Sequence, residues 1–308
     1  MSGNTIGKVF KVTTFGESHS KTVGAIIEGC PPGIKISLKE IQKELDRRRP
    51  GKDLTSPRKE PDRLEVISGF KNGKTTGKKI KLQVKNVDIR REDYSNILHI
   101  PRPGHADLTY FLKYGKIPSG GGRASGRETV GRVLAGAVAK QILNREDITI
   151  KGRIIEIYGE KNFKDVILTA KKEKDAVGGV IEVVAEGVPP GLGEPVFDKL
   201  DADLAKALMS IGAVKGVEIG SGFKCARMKS SEHNDPIIID KGKLKTKTNN
   251  AGGILGGISN GMPIICRIAV KPTSSIEKEQ DSVDLRTMQP TKIRVKGRHD
   301  PCICLRII

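Results

Sequence analysis

The chain has 308 residues, enough for one large domain or two smaller ones, and a hydrophobic share of 36% beside 36 glycines excludes a wholly disordered polymer. Lys and Arg number 55 against 36 Asp and Glu, a net charge of +19 that draws anions and leaves three readings open: nucleic acid, phosphorylated small molecules, or a merely basic surface. Aromatics are 4% and Trp is absent, so the core rests on Val, Ile, Leu and Ala. Met1 to Thr14 lacks an apolar signal-peptide core, and the uncharged stretch Asn249 to Cys266 holds five glycines and a proline, which reads as turns around short strands and not as a membrane span. Cys30, Cys225, Cys266, Cys302 and Cys304 are odd in number and show no CxxC spacing, as expected of free thiols in a reducing cytosol.

In chain order, Val23 to Ile27 reads as a strand and Glu28-Gly29-Cys30-Pro31-Pro32-Gly33 as its turn. Ser37-Leu38-Lys39-Glu40 then resembles a capping box opening a helix through Ile41 and Leu45, which ends at Asp46-Arg47-Arg48-Arg49-Pro50-Gly51. Leu64 to Ile67, a turn at Asn72-Gly73, and Ile80 to Val84 read as a hairpin. Arg127 to Leu143 is the clearest helix, and its Ala135-Gly136-Ala137 patch invites close approach by another element. Val180 to Val184 is a second strand followed by Glu186-Gly187-Val188-Pro189-Pro190-Gly191, and Asp198 to Met209 is a helix with Leu200, Leu204 and Leu208 on one face. Ile237 to Ile239 and Leu244 onward form another hairpin. The strand, Pro-Pro-Gly turn and helix therefore occur twice, which points to two related halves in one domain of α+β class.

Chemistry-bearing residues cluster at backbone breaks. Gly120-Gly121-Gly122-Arg123-Ala124-Ser125-Gly126-Arg127 runs into the helix, and glycines, a helix start, two Arg and a Ser together suit an anion. His19, His105 and His299 each lie beside Gly or Pro and close to acidic residues, a setting for proton transfer near neutral pH. There is no zinc spacing and no nucleophile elbow. Gly252 to Gly257 and Lys271-Pro272-Thr273-Ser274-Ser275 add permissive backbone and hydroxyls. The residues alone imply an anionic ligand with acid–base histidines, without fixing the reaction.

Taken in order, Phe15-Gly16-Glu17-Ser18-His19, Asp46 to Gly51, Arg102-Pro103-Gly104-His105-Ala106-Asp107, Gly120 to Ser125, Gly193-Glu194-Pro195-Val196-Phe197-Asp198, Ala213-Val214-Lys215-Gly216-Val217-Glu218, Gly252 to Gly257, Lys271 to Ser275 and Gly297-Arg298-His299-Asp300-Pro301-Cys302 closely resemble the chorismate synthase family. The resemblance implies a lyase of the shikimate pathway that eliminates phosphate from 5-enolpyruvylshikimate 3-phosphate with reduced FMN and no net redox change. It implies a single domain over residues 1–308 with a β-α-β sandwich fold, helices between two antiparallel sheets, in a cytoplasmic homotetramer that binds a small phosphorylated substrate and neither nucleic acid, membrane nor metal. NAD(P)H is implied only if the protein reduces its own flavin.

By motif, the resemblance makes His105 the proton donor to the departing phosphate, places His19 beside the reduced flavin as a proton source, and has Asp300 assist hydrogen removal. Arg48, Arg102 and Arg298 would line the anionic substrate pocket. Cofactor contacts would fall on Arg123, Ala124, Ser125, Gly212, Ala213, Gly256, Lys271, Pro272, Thr273, Ser274, Ser275 and Arg298. Against the family pattern, the loop after Arg49 is short, with Lys52 or Arg58 standing in for a missing Arg. The 154–180 region is also shortened, and the usual helical segment after Arg-His-Asp-Pro is expected to be absent.

Overall fold

Val23, Ala25 and Ile27 alternate along one strand and Ile80, Leu82 and Val84 along another, and all six are buried. Their registers match, with Val23 opposite Val84, Ala25 opposite Leu82 and Ile27 opposite Ile80. This period-two pattern buries one face of a sheet while Lys81, Gln83 and Lys85 turn to the other. The computed structural model describes residues 3–51, 53–88, 98–295 and 299–308.

The elements begin with β1 (Thr5–Ile6), β2 (Lys11–Phe15), β3 (Thr22–Glu28), α1 (Leu38–Arg48), β4 (Glu65–Ser68), β5 (Phe70–Lys71), β6 (Lys74–Thr75) and β7 (Ile80–Lys85). They continue with α2 (Asp107–Tyr114), α3 (Thr129–Leu143), β8 (Thr149–Ile157), α4 (Lys164–Lys172), β9 (Gly179–Glu186), α5 (Leu200–Met209), β10 (Val214–Ile219) and α6 (Ser230–His233). The rest are β11 (Ile237–Asp240), β12 (Lys243–Thr246), β13 (Ile254–Leu255), β14 (Ile258–Ser259), β15 (Ile264–Val270), β16 (Gln280–Asp284), β17 (Gln289–Ile293) and α7 (Cys304–Ile307). They group into two compact units, the first of residues 1–141, 162–177 and 272–307, the second of 142–161, 178–271 and 308.

The first unit holds an antiparallel sheet in the order β1-β2-β3-β7-β4, the second one in the order β10-β15-β9-β8. The duplicated sequence motif thus sits in a duplicated topology. In chain order β2, β3, α1, β4, β7 and β8, β9, α5, β10, β15 are equivalent, and each set of four strands takes the spatial order first-second-fourth-third. Each third strand carries a bulge, after Val66 in β4 and after Val214 in β10. The turn glycines correspond as well: a side-chain carbon on Gly29 would strike the carbonyl oxygen of Val9, and one on Gly187 that of Asp147, each two residues before the paired strand.

Local signals hold where the chemistry is local. Ser37 caps α1, its hydroxyl accepting from the Glu40 amide. Lys241 and Gly242, both at positive φ, turn the β11–β12 hairpin. The Asn72-Gly73 turn closes only the inner hairpin β5–β6, while β4 and β7 pair outside it. Leu200, Leu204 and Leu208 of α5 pack on Ile148, Val188, Ile254, Ile264 and Cys266 within the second unit. Across its four strands runs a charged row, Arg153–Glu182–Arg267–Glu218, with Glu182 accepting from Arg153 Nε at 2.9 Å and Arg267 Nε at 3.0 Å. Alternating signs at neighbouring positions penalise a register slip. No helix among the described residues is long and apolar enough to cross a membrane.

Two expectations about α3 are corrected. The α-helix starts at Thr129, because the preceding residues form 3-10 turns over Ser119–Ala124 and Gly126–Glu128. The close approach is at Gly131, where a side-chain carbon would lie 2.6 Å from the Gly24 carbonyl oxygen of β3, whereas Gly136 has open space. These two glycines predict opposite outcomes. Gly136→Ala gains helix propensity and stabilises by about 0.5–1 kcal/mol. Gly131→Ala drives α3 off the sheet and destabilises by about 1–3 kcal/mol. Urea midpoints of the two variants check the pair.

Candidate active site

Arg102 opens the loop before α2, and the β16–β17 hairpin holds that loop, Ser282 donating its hydroxyl to the Pro101 carbonyl at 2.6 Å. Asp107, the first residue of α2, turns back onto the loop and is fully buried. Its Oδ2 accepts from the Arg102 amide at 3.1 Å and from Arg102 Nε at 2.6 Å, and its Oδ1 accepts from Arg102 Nη2 at 2.8 Å. The same Oδ1 lies 2.7 Å from Nδ1 of His105. Burial works to raise the Asp107 pKa, but hydrogen bonds from Arg102 and His105 outweigh it and hold the carboxyl well below the usual range. Arg102 Nη1 donates to Ser275 Oγ at 3.1 Å, and Ser274 Oγ donates to the Gly104 carbonyl at 2.7 Å. The structure therefore brings Ser274 and Ser275 onto the Arg102–His105 loop.

Gly120, Gly121 and Gly122 all have positive φ (62°, 83° and 51°), a run that only glycine adopts without strain. A side-chain carbon on Gly120 would lie 2.7 Å from Nε2 of His19, and one on Gly121 would lie 3.1 Å from Nε2 of His105. The two histidines thus present the same ring nitrogen to successive glycines. His19 is fixed at its other nitrogen, Nδ1 standing 2.8 Å from Ser119 Oγ, and buried Ser18 donates to the Gly120 carbonyl at 3.0 Å. His299 does not join them. Its Nε2 donates to the Val295 carbonyl at 3.0 Å, and burial lowers its pKa, so it stands as a neutral ring beside the loop.

The guanidinium groups take unforeseen roles. Arg123 donates to the carbonyls of Gly16 and Thr14, to Thr14 Oγ1 at 2.7 Å and to Asn4 Oδ1 at 3.2 Å, so its side chain ties the glycine loop to β2. Arg127 is buried and reaches Asp62 Oδ1, Asn86 Oδ1 at 2.6 Å and, as an ion pair, Glu60 at 3.6 Å. It is no side-chain donor to a ligand at the helix start, contrary to expectation. Arg48 follows Ile41 and Leu45 on the inward face of α1 and is 1% exposed. Its Nη1 donates to Asp62 Oδ2 at 3.0 Å, while Nε and Nη2 have no hydrogen-bond partner among the described residues. Burial, then the nearby charge of Arg306, push its pKa down to about 9 against the pull of Asp62. Asn86 carries the network onward, donating to the carbonyls of Glu17 and Ser20 on either side of His19.

Asp300 is buried with both oxygens engaged, Oδ1 by the Ser56 amide and Oδ2 by Arg306 Nη1, each at 2.8 Å. In the second unit, the Lys271 amide donates to the carbonyl of Ala213, which sits at positive φ beside the open backbone of Gly212. Burial, then the charge of Lys215, lower the Lys271 pKa, so an anion at this point relieves a repulsion. Gly256 lies in the tip of the β13–β14 hairpin with open space around its Cα. Ala124 and Ser125 follow the glycines, Ser125 Oγ accepting from the Arg127 amide. Arg298 and Lys52 lie outside the described residues. Sequence reasoning missed Asp62, Asp107, Ser119 and Arg306; Asp107 alone had a local signal, a carboxylate two residues from a turn histidine.

A sequence profile described as chorismate synthase matches residues 10–308. The chain belongs to the chorismate synthase family. It is 49% identical over 337 residues to the chorismate synthase of Methanosarcina barkeri, covering 100% of this chain and 92% of that protein. It is 50% identical over 347 residues to that of Methanocaldococcus jannaschii, covering 99% and 92%. Both alignments are longer than the chain, so these relatives carry internal residues that it lacks. A crystal structure of chorismate synthase superposes with a TM-score of 0.72 at 33% identity, over 86% of this chain and 85% of that one. The chain is thus a lyase that forms chorismate by eliminating phosphate from 5-enolpyruvylshikimate 3-phosphate, and its architecture is mixed α+β with antiparallel sheets.

Asp62→Asn leaves Arg48 and Arg127 buried without their shared counter-charge. The expected loss is about 3–5 kcal/mol, with part of it recovered in Asp62→Asn, Arg48→Met. Denaturant unfolding of both variants measures it.

Proposed function

We propose that the residues gathered at the Gly120–Gly122 loop carry the proton transfers of this elimination and that the chain works with reduced FMN. The observation that supports this most is the presentation of Nε2 of His19 and Nε2 of His105 to successive glycines. His105 protonates the departing phosphate, in the field of Arg102 and beside the hydroxyls of Ser274 and Ser275. His19, held at Nδ1 by Ser119, supplies a proton next to the cofactor. Asp300 takes part in hydrogen removal, and the Ser56 amide and Arg306 hold its two oxygens in place. Arg48 and Arg102 line the substrate pocket; the unpaired Nε and Nη2 of Arg48 support an anion there.

The residues present fit the cofactor. Lys271, with its pKa lowered by burial and by Lys215, suits a phosphate, as do the open backbones of Gly212 and Gly256. Arg123 contributes by fixing Ala124 and Ser125, since its own guanidinium is spent on β2 and its surroundings. The family resemblance supports Pro272 and Thr273 as the remaining contacts. The chemistry that reduced FMN would supply at these residues is a transient loan of electron density to the elimination. NAD(P)H takes part only if the protein reduces its own flavin. The equal strand order of the two sheets supports two related halves of one β-α-β sandwich within a single domain over residues 1–308. The family resemblance, together with exposed Phe223, Ile237, Ile239 and Leu244, supports a homotetramer, and we place it in the cytoplasm.

Anaerobic turnover of 5-enolpyruvylshikimate 3-phosphate with substoichiometric reduced FMN tests this reading. Many chorismates per flavin are expected; one per flavin overturns it. His105→Ala and Asp300→Ala should each slow turnover by about 10²–10⁴-fold with flavin affinity retained. Arg123→Ala should weaken flavin binding, and equal loss of flavin affinity in all three contradicts the assignment.

A further inference from the structure

We infer that Asp107 is the positioning residue for the proton donor, fixing His105 with hydrogen on Nδ1 so that Nε2 is the atom that exchanges protons at the Gly121 loop. The inference rests on the proposed role of His105 and adds the residue that makes the role directional.

An acidic residue in the first turn of a helix ordinarily faces solvent and complements the helix dipole. Asp107 instead is fully buried and spends four interactions on two residues of the preceding loop. An ionised carboxylate only accepts, so Nδ1 of His105, 2.7 Å from Oδ1, carries the hydrogen of that bond. Arg102 Nη2 also lies 3.1 Å from Nδ1, but it donates to the same oxygen at 2.8 Å. The shorter, charge-assisted bond to the carboxylate therefore sets the tautomer. Arg102 offsets most of the carboxylate's charge through its paired contacts, which leaves Asp107 to act on His105 by direction more than by charge.

The consequence falls on the reaction step. As the carbon–oxygen bond to phosphate breaks, its electron pair stays on the phosphate oxygen. The His105 imidazolium gives its Nε2 proton to that oxygen and is left as the neutral Nδ1–H ring, the form Asp107 accepts. In Asp107→Asn one arm of the side chain becomes a donor. The arm at Oδ2 faces two donors that cannot change, the amide and Nε of Arg102. The Oδ1 position faces one fixed donor, Arg102 Nη2, and His105 Nδ1, which can become an acceptor by shifting its hydrogen to Nε2, so the amide nitrogen is placed there at the smaller cost. The neutral ring left after proton donation is then the disfavoured tautomer, and donation slows.

The test uses the full chain with ¹⁵N-labelled histidine. At a pH where His105 is neutral, the wild type should show Nδ1 protonated and Nε2 bare. Asp107→Asn should show the reverse, with kcat down by about 10²-fold or more and KM and reduced-flavin affinity within about threefold. A wild-type ring protonated at Nε2 overturns the inference, and this reading needs no variant to fold. A switched tautomer with unchanged kcat also overturns it. A wild type that forms no chorismate defeats the proposed function while the tautomer result stands by itself.

Discussion

The carboxylate of Asp62, with no access to water, joins two arginines that belong to different parts of the first unit. Arg48 ends α1, and Arg127 stands just before α3. Through Asn86 at the end of β7 the same network grips the Glu17–Ser20 turn that carries His19. A buried charge without a partner costs several kcal/mol, so these elements hold a narrow set of relative positions or the pairing fails. Asp62 itself stands at φ 45°, a conformation that costs energy outside glycine and persists because the pairing over-determines it. The geometry of the histidine site is inherited from this scaffold.

The cations nearest the glycine loop and its histidines are less available to ligands than the sequence suggests. Arg48, Arg102, Arg123 and Arg127 all point inward and are bonded to carboxylates or carbonyls of their own chain. Their positive field still reaches the site, because in a low-dielectric interior a compensated ion pair is a dipole with direction. Fixed donors of this kind need no reorganisation when charge develops on a leaving phosphate. In the proposed mechanism the histidines supply what fixed charges cannot, a proton that moves.

Much of the fold was legible because its causes are local. Ser37 at its cap, the Lys241-Gly242 turn and the leucine face of α5 each depend on residues a few positions apart. The repeated Glu-Gly-x-Pro-Pro-Gly was legible too, and its meaning grew: it marks equivalent corners of two sheets with the same strand order. The motifs that suggested a site converge in part, since the loop glycines lie against His19 and His105. What stayed hidden was pairing at a distance. The burial of Arg48 was not read, although its place three residues after Leu45 and seven after Ile41 puts it on their inward face. Its carboxylate lies 14 residues away, beyond any local rule. Gly136 looked like the point of close approach because alanines flank it, but the sheet meets α3 at Gly131, where Gly24 lies beneath.

The central claim is that chemistry occurs where the glycine loop meets the two histidines. Gly121→Ala tests it most directly, since the added carbon would lie 3.0 Å from Cε1 of His105, on a backbone that strains any side chain. Phosphate release from 5-enolpyruvylshikimate 3-phosphate, followed anaerobically with reduced FMN, is the measurement. The account predicts a fall of about 10²-fold, the cost of displacing a reacting group by roughly an ångström. Release at the wild-type rate would contradict it, because His105 would then be shown to act from somewhere else or not at all.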